Sequence, residues 1–426
     1  MNRLKNFEEK IKNFILTIFF FNFMQIQFKQ HKGYDPLGDC GKGRCPICAR
    51  NNALFKVKTR LDKEEFTSDA VAPFVGRFGY PNINLGILTP PEQSENAWLY
   101  DAPKHWSAKN YEIPRIVDFR SSLLNSRYNI NIKKRAKFLE LSQDIAMSSK
   151  PFDVEIQLLE KPKFRLNLDS YMAPTGPNAK LKKASAVENP KIHTKVYKIF
   201  EDVDLKAQHA VNYLYKNKFD ENFLSKLLSV GTLGLKKDRK LVPTRWSLTA
   251  THDMIGKNLI NQIKDYNNID YTAFFGGYLG NYYLIVCFPE IWSYELFEMY
   301  IKSPNYTTDY ETYDGRKNYA EATAGGYYTV RMGVLEKLRE LKKQGTVLAL
   351  RFITDEYTMP LGVWVTLEAA RKAMNSKPIQ FSSKELMLEY AKKIALKKFN
   401  FNLDKILEKS ILLKSIKQQS KLIKFL

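Results

Sequence analysis

A chain of 426 residues and 49.5 kDa, 44% hydrophobic and 26% charged, is long enough to bury its own core. Its composition excludes a mainly disordered chain and a polytopic membrane protein, and four cysteines are too few for a disulfide scaffold. Sixty-seven Lys and Arg against forty-five Asp and Glu leave a net +22, an excess that points to a polyanionic partner or a membrane surface and says nothing about fold.

The first feature along the chain is Phe14 to Ile26, a nearly unbroken apolar run of 13 residues preceded by Lys5, Lys10 and Lys12. It is too short for a membrane span of about 20 residues. No small-x-small cleavage site follows it; the next residues are Gln27-Phe28-Lys29-Gln30. Three readings stand: a signal or anchor, a helix packed on the core, or an over-long start with Met24 as the first residue.

Three cysteines follow in Cys40-Gly41-Lys42-Gly43-Arg44-Cys45-Pro46-Ile47-Cys48. Thiolates on turns of this kind converge on zinc, which takes four tetrahedral ligands. Cys40, Cys45 and Cys48 supply three, and His31 is the nearest candidate for the fourth. Cys287 lies in an apolar run and reads as buried strand. The alternatives are a redox pair at Cys45 and Cys48, or plain reduced thiols.

From Ala53 onward the chain reads as one large mixed body, α/β or α+β. Strands are expected at Val154 to Leu159, Tyr282 to Phe288 and Val347 to Ile353. Helices are expected at Val203 to Lys216, Glu221 to Ser229, Val330 to Lys343 and Leu367 to Ala373, and Ser383 signals a further helix start. Basic clusters at Lys133, Lys134, Arg135 and Lys137, and at Lys180, Lys182 and Lys183, read as solvated faces.

Several segments combine Gly, Pro, Arg and aromatics without regular periodicity: Pro73 to Asn82, Leu241 to Asp253, Gly276 to Asn281, Thr323 to Tyr328 and Met359 to Trp364. Glycine lets backbone approach a phosphate, Arg clamps it and an aromatic ring stacks on a base. The candidate nucleotide- or DNA-binding residues are Arg77, Arg245, Trp246, Lys257, Asn281, Gly325 and Gly326. The plainer reading is that Gly and Pro punctuate turns while aromatics fill the core. Catalytic constellations are weak. His252 and Asp253 are adjacent and so unsuited to face each other; Asp309, Glu311 and Asp314 read as a solvated acidic loop. No Walker A loop, Rossmann fingerprint or zinc-protease motif occurs.

The end of the chain concentrates the charge. Ala391 to Leu426 holds ten lysines against Asp404 and Glu408, a net of +8. It finishes with Gln419, Leu422, Phe425 and Leu426, the spacing of a PCNA-interacting peptide (the sliding-clamp motif). In a 3₁₀ turn, positions three apart eclipse, so Leu422 and Phe425 form one plug. The alternative is the end of an amphipathic helix, because Ile406, Leu407, Leu413 and Ile423 also fit helical spacing.

Taken together, Pro73 to Glu92, Leu241 to Asp253, Gly280-Asn281, Thr323 to Tyr328 and Pro360 to Trp364 resemble the archaeal Nre family of DNA repair proteins. Val242-Pro243-Thr244-Arg245-Trp246-Ser247 is the most specific piece. The resemblance implies a DNA-damage repair role coupled to the replication clamp through Gln419, Leu422, Phe425 and Leu426. It also implies an N-terminal zinc-finger-like element, from which this chain departs in having no upstream C-x2-C pair. It supplies no reaction.

The expected organisation is an apolar segment over 1–30, a cysteine-rich element over 31–52, the core over 53–390 and a basic helical tail over 391–426. The expected function is a clamp-recruited DNA repair factor, cytoplasmic, with PCNA and DNA as partners, zinc as cofactor and no stable membrane association. The alternative is an enzyme acting on a nucleotide or nucleic-acid adduct.

Overall fold

The computed structural model describes residues 46–134, 136–164 and 173–423, the side chains of 46, 47 and 418–423 apart. Phe14 to Ile26, His31, Cys40, Cys45, Arg135, Phe425 and Leu426 lie outside the described residues, as do the side chains of Gln419 and Leu422. Within them the chain is a mixed α/β body, as expected.

Two six-stranded sheets carry it. The first holds β1 (Glu65–Ala70), β2 (Ala72–Val75), β3 (Asn82–Thr89), β4 (Leu124–Asn131), β5 (Phe152–Leu158) and β6 (Asn178–Ala186), in the order β1-β5-β6-β4-β3-β2. Strands β4 and β6 run parallel, and the other neighbours are antiparallel. Along β5, Phe152, Val154, Ile156 and Leu158 are buried while Asp153, Glu155 and Gln157 turn outward. This period of two is the signature of a sheet with one covered face. Val57 and Leu61 of helix Pro46–Leu61, with Leu141 and Ile145 of helix Lys137–Met147, cover part of that face. Lys180, Lys182 and Lys183 on β6 are exposed, as expected of a solvated cluster.

A two-stranded pair, β7 (Asn267–Asn268) with β12 (Lys343–Gln344), forms a ladder of its own beside the second sheet. That sheet holds β8 (Thr272–Tyr278), β9 (Asn281–Phe288), β10 (Ser293–Tyr300), β11 (Tyr306–Glu311), β13 (Thr346–Ile353) and β14 (Ile379–Gln380), in the order β11-β10-β13-β9-β8-β14. Every residue of β13 is buried, as a strand covered on both faces must be. Helices Thr244–Ile263, Ala324–Leu341 and Trp364–Met374 cover one face, in a core that also takes in Ile83, Leu85 and Ile130 of the first sheet. The other face, through Leu284, Val286, Leu348 and Leu350, meets Met387, Ala391, Ala395, Leu403, Ile406, Leu412 and Ile416. Much of the basic tail is therefore docked by an apolar side, with Lys393, Lys397 and Lys398 exposed on the other. The helical spacing read in the tail is real over Ile411–Ile423.

The predicted helix Glu221–Ser229 forms as expected, with the Asp220 side chain accepting from Phe223 N–H at 2.8 Å. Ser383 likewise caps helix Lys384–Phe399 by accepting from Leu386 N–H. The run from Val203 becomes helical only at Ala207, since the Val203 carbonyl is taken by Lys236 N–H at 2.8 Å. The segment Leu241 to Asp253, read as irregular, is mostly the first half of the 20-residue helix Thr244–Ile263. Its buried residues include Ser247, Thr251, His252 and Gly256, whose small or polar side chains conceal the helical period. Gly276 to Asn281 is no loop but the end of β8 and a two-residue hairpin turn into β9. Leu279 (φ 52°) and Gly280 (φ 73°) are both left-handed, the signature of a type I′ turn. A Cβ on Gly280 would lie 2.4 Å from the Tyr357 backbone nitrogen, so no other residue fits there. Among the described residues no helix is long and apolar enough to cross a membrane.

Candidate nucleic-acid interface

The loop leaving β2 and the start of helix Thr244–Ile263 are held together. Thr244 Oγ1 accepts from Val75 N–H at 2.9 Å and lies 3.5 Å from Ser229 Oγ. Gly76 N–H donates to Asn84 O, and a tight turn from Gly79 (φ 82°) to Asn82 carries a cis Tyr80–Pro81 bond. This anchoring places Arg77, Phe78 and Tyr80 beside Arg245 and Trp246. The Tyr80 and Trp246 rings lie 5.4 Å apart, and the Arg77 guanidinium sits 4.8 Å from the Phe78 ring centroid. Partial burial, and then the charge of Arg245, lower the pKa of Arg77; the two cations are neighbours. Phe78, Tyr80 and Trp246 are 76%, 43% and 47% exposed. Large aromatics left in water beside neighbouring guanidinium groups make a platform with the chemistry to stack unpaired bases and clamp phosphates.

The platform rests on a buried ion cluster. Arg331 of helix Ala324–Leu341 has no exposed side-chain surface; it donates to Asp253 at 2.6 Å and to Glu311 at 2.7 Å. Trp292 Nε1–H donates to the other Glu311 oxygen at 3.1 Å. Glu311 and Asp309 are thus not a solvated acidic loop. Both sit on β11, where Asp309 accepts from Thr323 and pairs with Arg316 at 3.0 Å. The second Asp253 oxygen pairs with exposed Lys257 at 2.7 Å. Trp246, Thr249, Asp253 and Lys257, spaced by three or four residues, share one helix face. Asp253, held by two cations, is not poised to act as a base.

The family model described as archaeal Nre, N-terminal, matches residues 40–307, and that described as archaeal Nre, C-terminal, matches residues 311–425. The chain belongs to the archaeal Nre family. It is similar to the DNA repair protein NreA of Archaeoglobus fulgidus, at 35% identity over 359 residues, 81% of this chain and 88% of that one. Similarity to the DNA repair protein NreA of Haloferax volcanii is 35% over 323 residues, 71% and 76% of the two chains. The DNA repair protein NreB of Archaeoglobus fulgidus is 31% identical over 390 residues, 89% and 96% of the two chains. No solved structure matches the chain. The boundary between the two Nre models falls within β11, and the C-terminal part supplies β13 to the middle of the second sheet.

The remaining candidates sit deeper in this Nre fold. Asn281 is fully buried and accepts from Arg351, which also pairs with Glu298. A Cβ on Gly326 would come 2.6 Å from Glu298 Oε1, so that glycine makes room for an internal carboxylate. Gly325 packs against Val363, near Thr249. Of the seven nucleic-acid candidates, Arg77, Arg245 and Trp246 come together, Lys257 lies along the same helix, and Asn281, Gly325 and Gly326 build the scaffold. Phe78 and Tyr80 complete the platform without standing out in the sequence; their flanking Arg77 and Gly79 were the signal. Cys48 stands half-buried on the first turn of helix Pro46–Leu61. Among the described residues no group of His, Cys, Asp and Glu converges on a metal site.

His252 and Asp253 face apart, as adjacent helical residues do. His252 is buried near Arg371, which is held by Glu221 at 2.7 Å, Glu336 at 2.8 Å and Glu368 at 2.6 Å. Burial, against partial opposition from Glu221, pushes the His252 imidazole down to about 4. Burial also acts to raise Glu221, but Arg371 outweighs it and holds that carboxyl at about 2. Between the unfolded value of 6.5 and the folded value of about 4, the unfolded chain binds a proton that the native chain refuses, so stability falls as pH falls. Urea melts are expected to show about 2 kcal/mol less stability at pH 5 than at pH 7 from this residue. His252→Gln is expected to remove that slope; an unchanged slope in the variant contradicts the assignment.

Proposed function

We propose that this Nre-family chain is a DNA repair factor whose core grips DNA at unstacked bases through Arg77, Phe78, Tyr80, Arg245 and Trp246. The naming of its NreA and NreB relatives as DNA repair proteins supports the repair assignment. The observation that carries the DNA-binding part is the adjacency of Arg77 and Arg245 beside exposed rings, in a chain of net charge +22. Two like charges held together without a carboxylate between them favour an anion. Loss of oligonucleotide affinity on neutralising this pair is the test.

Recruitment belongs to the same reading. Gln419, Leu422, Phe425 and Leu426 have the spacing of a sliding-clamp ligand; Gln419 and Leu422 fall in the last turns of helix Ile411–Ile423, whose Leu412, Leu413 and Ile416 dock on the core. A peptide tethered in this way raises the effective concentration of the core at the clamp, so a modest affinity suffices. The paired change Leu422→Ala and Phe425→Ala is expected to weaken binding to the PCNA ring at least about thirtyfold by calorimetry, with an unchanged melting temperature. Wild-type affinity in that variant refutes the clamp role.

Structural zinc on Cys40, Cys45 and Cys48, with His31 as fourth ligand, completes it. Cys48 sits at the start of a helix, where the backbone N–H groups favour the thiolate that zinc requires. Metal analysis of tag-free protein is expected to find one zinc per chain; metal-free protein contradicts it.

A further inference from the structure

Two basic runs about a hundred residues apart meet on one side of the fold. Leu241 N–H donates to Ile132 O at 3.0 Å, which joins the segment carrying Lys133 to the segment carrying Lys236, Arg239 and Lys240. Together they line a cavity of about 310 Å³. Its floor is apolar, formed by Ile132, Leu139, Val230 and Leu241. Four cations line it against one carboxylate, Glu140. Arg239 is fixed: its guanidinium donates to the Gly234, Phe200 and Asp202 carbonyls at 2.7–2.9 Å and sits 5.6 Å from the Phe200 ring centroid. Lys133, Lys236 and Lys240 are exposed, and none of them is in an ion pair among the described residues. An apolar floor under a rim of unpaired ammonium groups suits a ligand with a flat ring and a phosphate, at the small end of ligand-pocket volumes, about 300 Å³.

The cavity adjoins the platform. Ile132 N–H donates to Pro81 O, the residue after Tyr80, and Leu241 precedes Arg245 by four residues, at most about 14 Å of chain. Even at the stacked spacing of roughly 3.4 Å per nucleotide, about four nucleotides cover that distance, and an unstacked strand needs fewer.

We propose that this cavity is a second nucleotide subsite, which takes a phosphate-bearing nucleotide of the strand whose neighbouring bases stack on the platform. The proposal rests on the DNA-binding reading above. Lys133, Lys236 and Lys240 meet the phosphate, and the ring enters over the apolar floor beside Phe200 and Arg239.

The test is anisotropy titration of the full chain with fluorescent single-stranded oligonucleotides of two and twelve nucleotides, across a salt series. The wild type is expected to bind the longer strand more tightly. The double change Lys133→Gln and Lys240→Gln is expected to remove that length advantage and lower the salt slope for the longer strand by about 1.4, two contacts at about 0.7 each. It should leave two-nucleotide binding intact. Lys397→Gln with Lys398→Gln, which removes the same charge from the tail, is expected to change neither. A Lys133/Lys240 variant that behaves as wild type on the longer strand overturns the subsite while leaving the platform standing. A wild type that binds neither strand overturns both. A final titration with dAMP separates the sources: saturable binding lost only in the Lys133/Lys240 variant, with no length effect in wild type, assigns the cavity to a free nucleotide and overturns the strand-borne proposal.

Discussion

Replacing Arg331 by methionine is expected to cost about 3–5 kcal/mol of stability, the largest effect of any single change considered. Methionine matches much of the arginine stem, so little of the loss comes from an empty volume. The loss comes from Glu311, which is fully buried and would keep its charge with no cation to meet it, only neutral donors such as the Trp292 indole. Asp253 would keep Lys257 and the solvent on its other side, so its share is smaller. Against a net stability of about 5–15 kcal/mol, the change approaches unfolding, and a melting temperature lower by about 10 °C is the expected reading. Lys257→Met breaks an exposed pair and is expected to cost under about 1 kcal/mol. Adding Glu311→Gln to Arg331→Met should recover part of the loss, because the stranded charge is then gone. Equal melting temperatures for Arg331→Met and Lys257→Met would contradict the role given to this cluster. Arg331 ties helix Thr244–Ile263 to β11, so the same variant should also loosen the platform at the head of that helix.

The second large effect is on binding. Trp246→Ala removes a stacking surface worth about 1–3 kcal/mol per base, a loss of roughly five- to 150-fold in affinity for a single strand. Arg77→Ala with Arg245→Ala removes two phosphate contacts and should lower the salt slope by about 1.4 for a single strand. All three residues are exposed, so melting temperatures should stay within about 1 °C of wild type. Trp246→Phe keeps a ring in place and should retain most of the affinity. A Trp246→Ala variant with wild-type affinity, or an Arg pair change that leaves the salt slope untouched, removes the platform from the account.

Some of this was legible before the fold was known. The buried strands β9 and β13 announced themselves as nearly continuous apolar runs, and Ser383 marked a helix start through a side-chain cap that the fold uses. Helix Thr244–Ile263 did not, because its buried side includes Ser247, Thr251, His252 and Gly256, which carry no hydrophobic period. The site was half legible. Arg77, Arg245 and Trp246 stand out in the sequence by residue type, and the fold brings them together across some 170 residues of chain. Gly325, Gly326 and Asn281 stand out in the same way, yet close packing against Val363, Glu298 and Arg351 accounts for them. A glycine needed for internal packing and a glycine needed for a phosphate look alike in one sequence. The Arg331–Glu311 pair and the Lys133–Lys240 cavity had no local signal, since each depends on segments that only the tertiary fold brings into contact.

The most direct test of the central claim is photocrosslinking of the full chain to a single-stranded oligonucleotide carrying 5-iodouracil, followed by peptide mapping. Bases stacked on the platform should crosslink to Phe78, Tyr80 or Trp246, and the yield should collapse in the Arg77→Ala and Arg245→Ala variant. Crosslinks confined to the outward face of the first sheet or to the lysine-rich tail, unaffected by that variant, would contradict it.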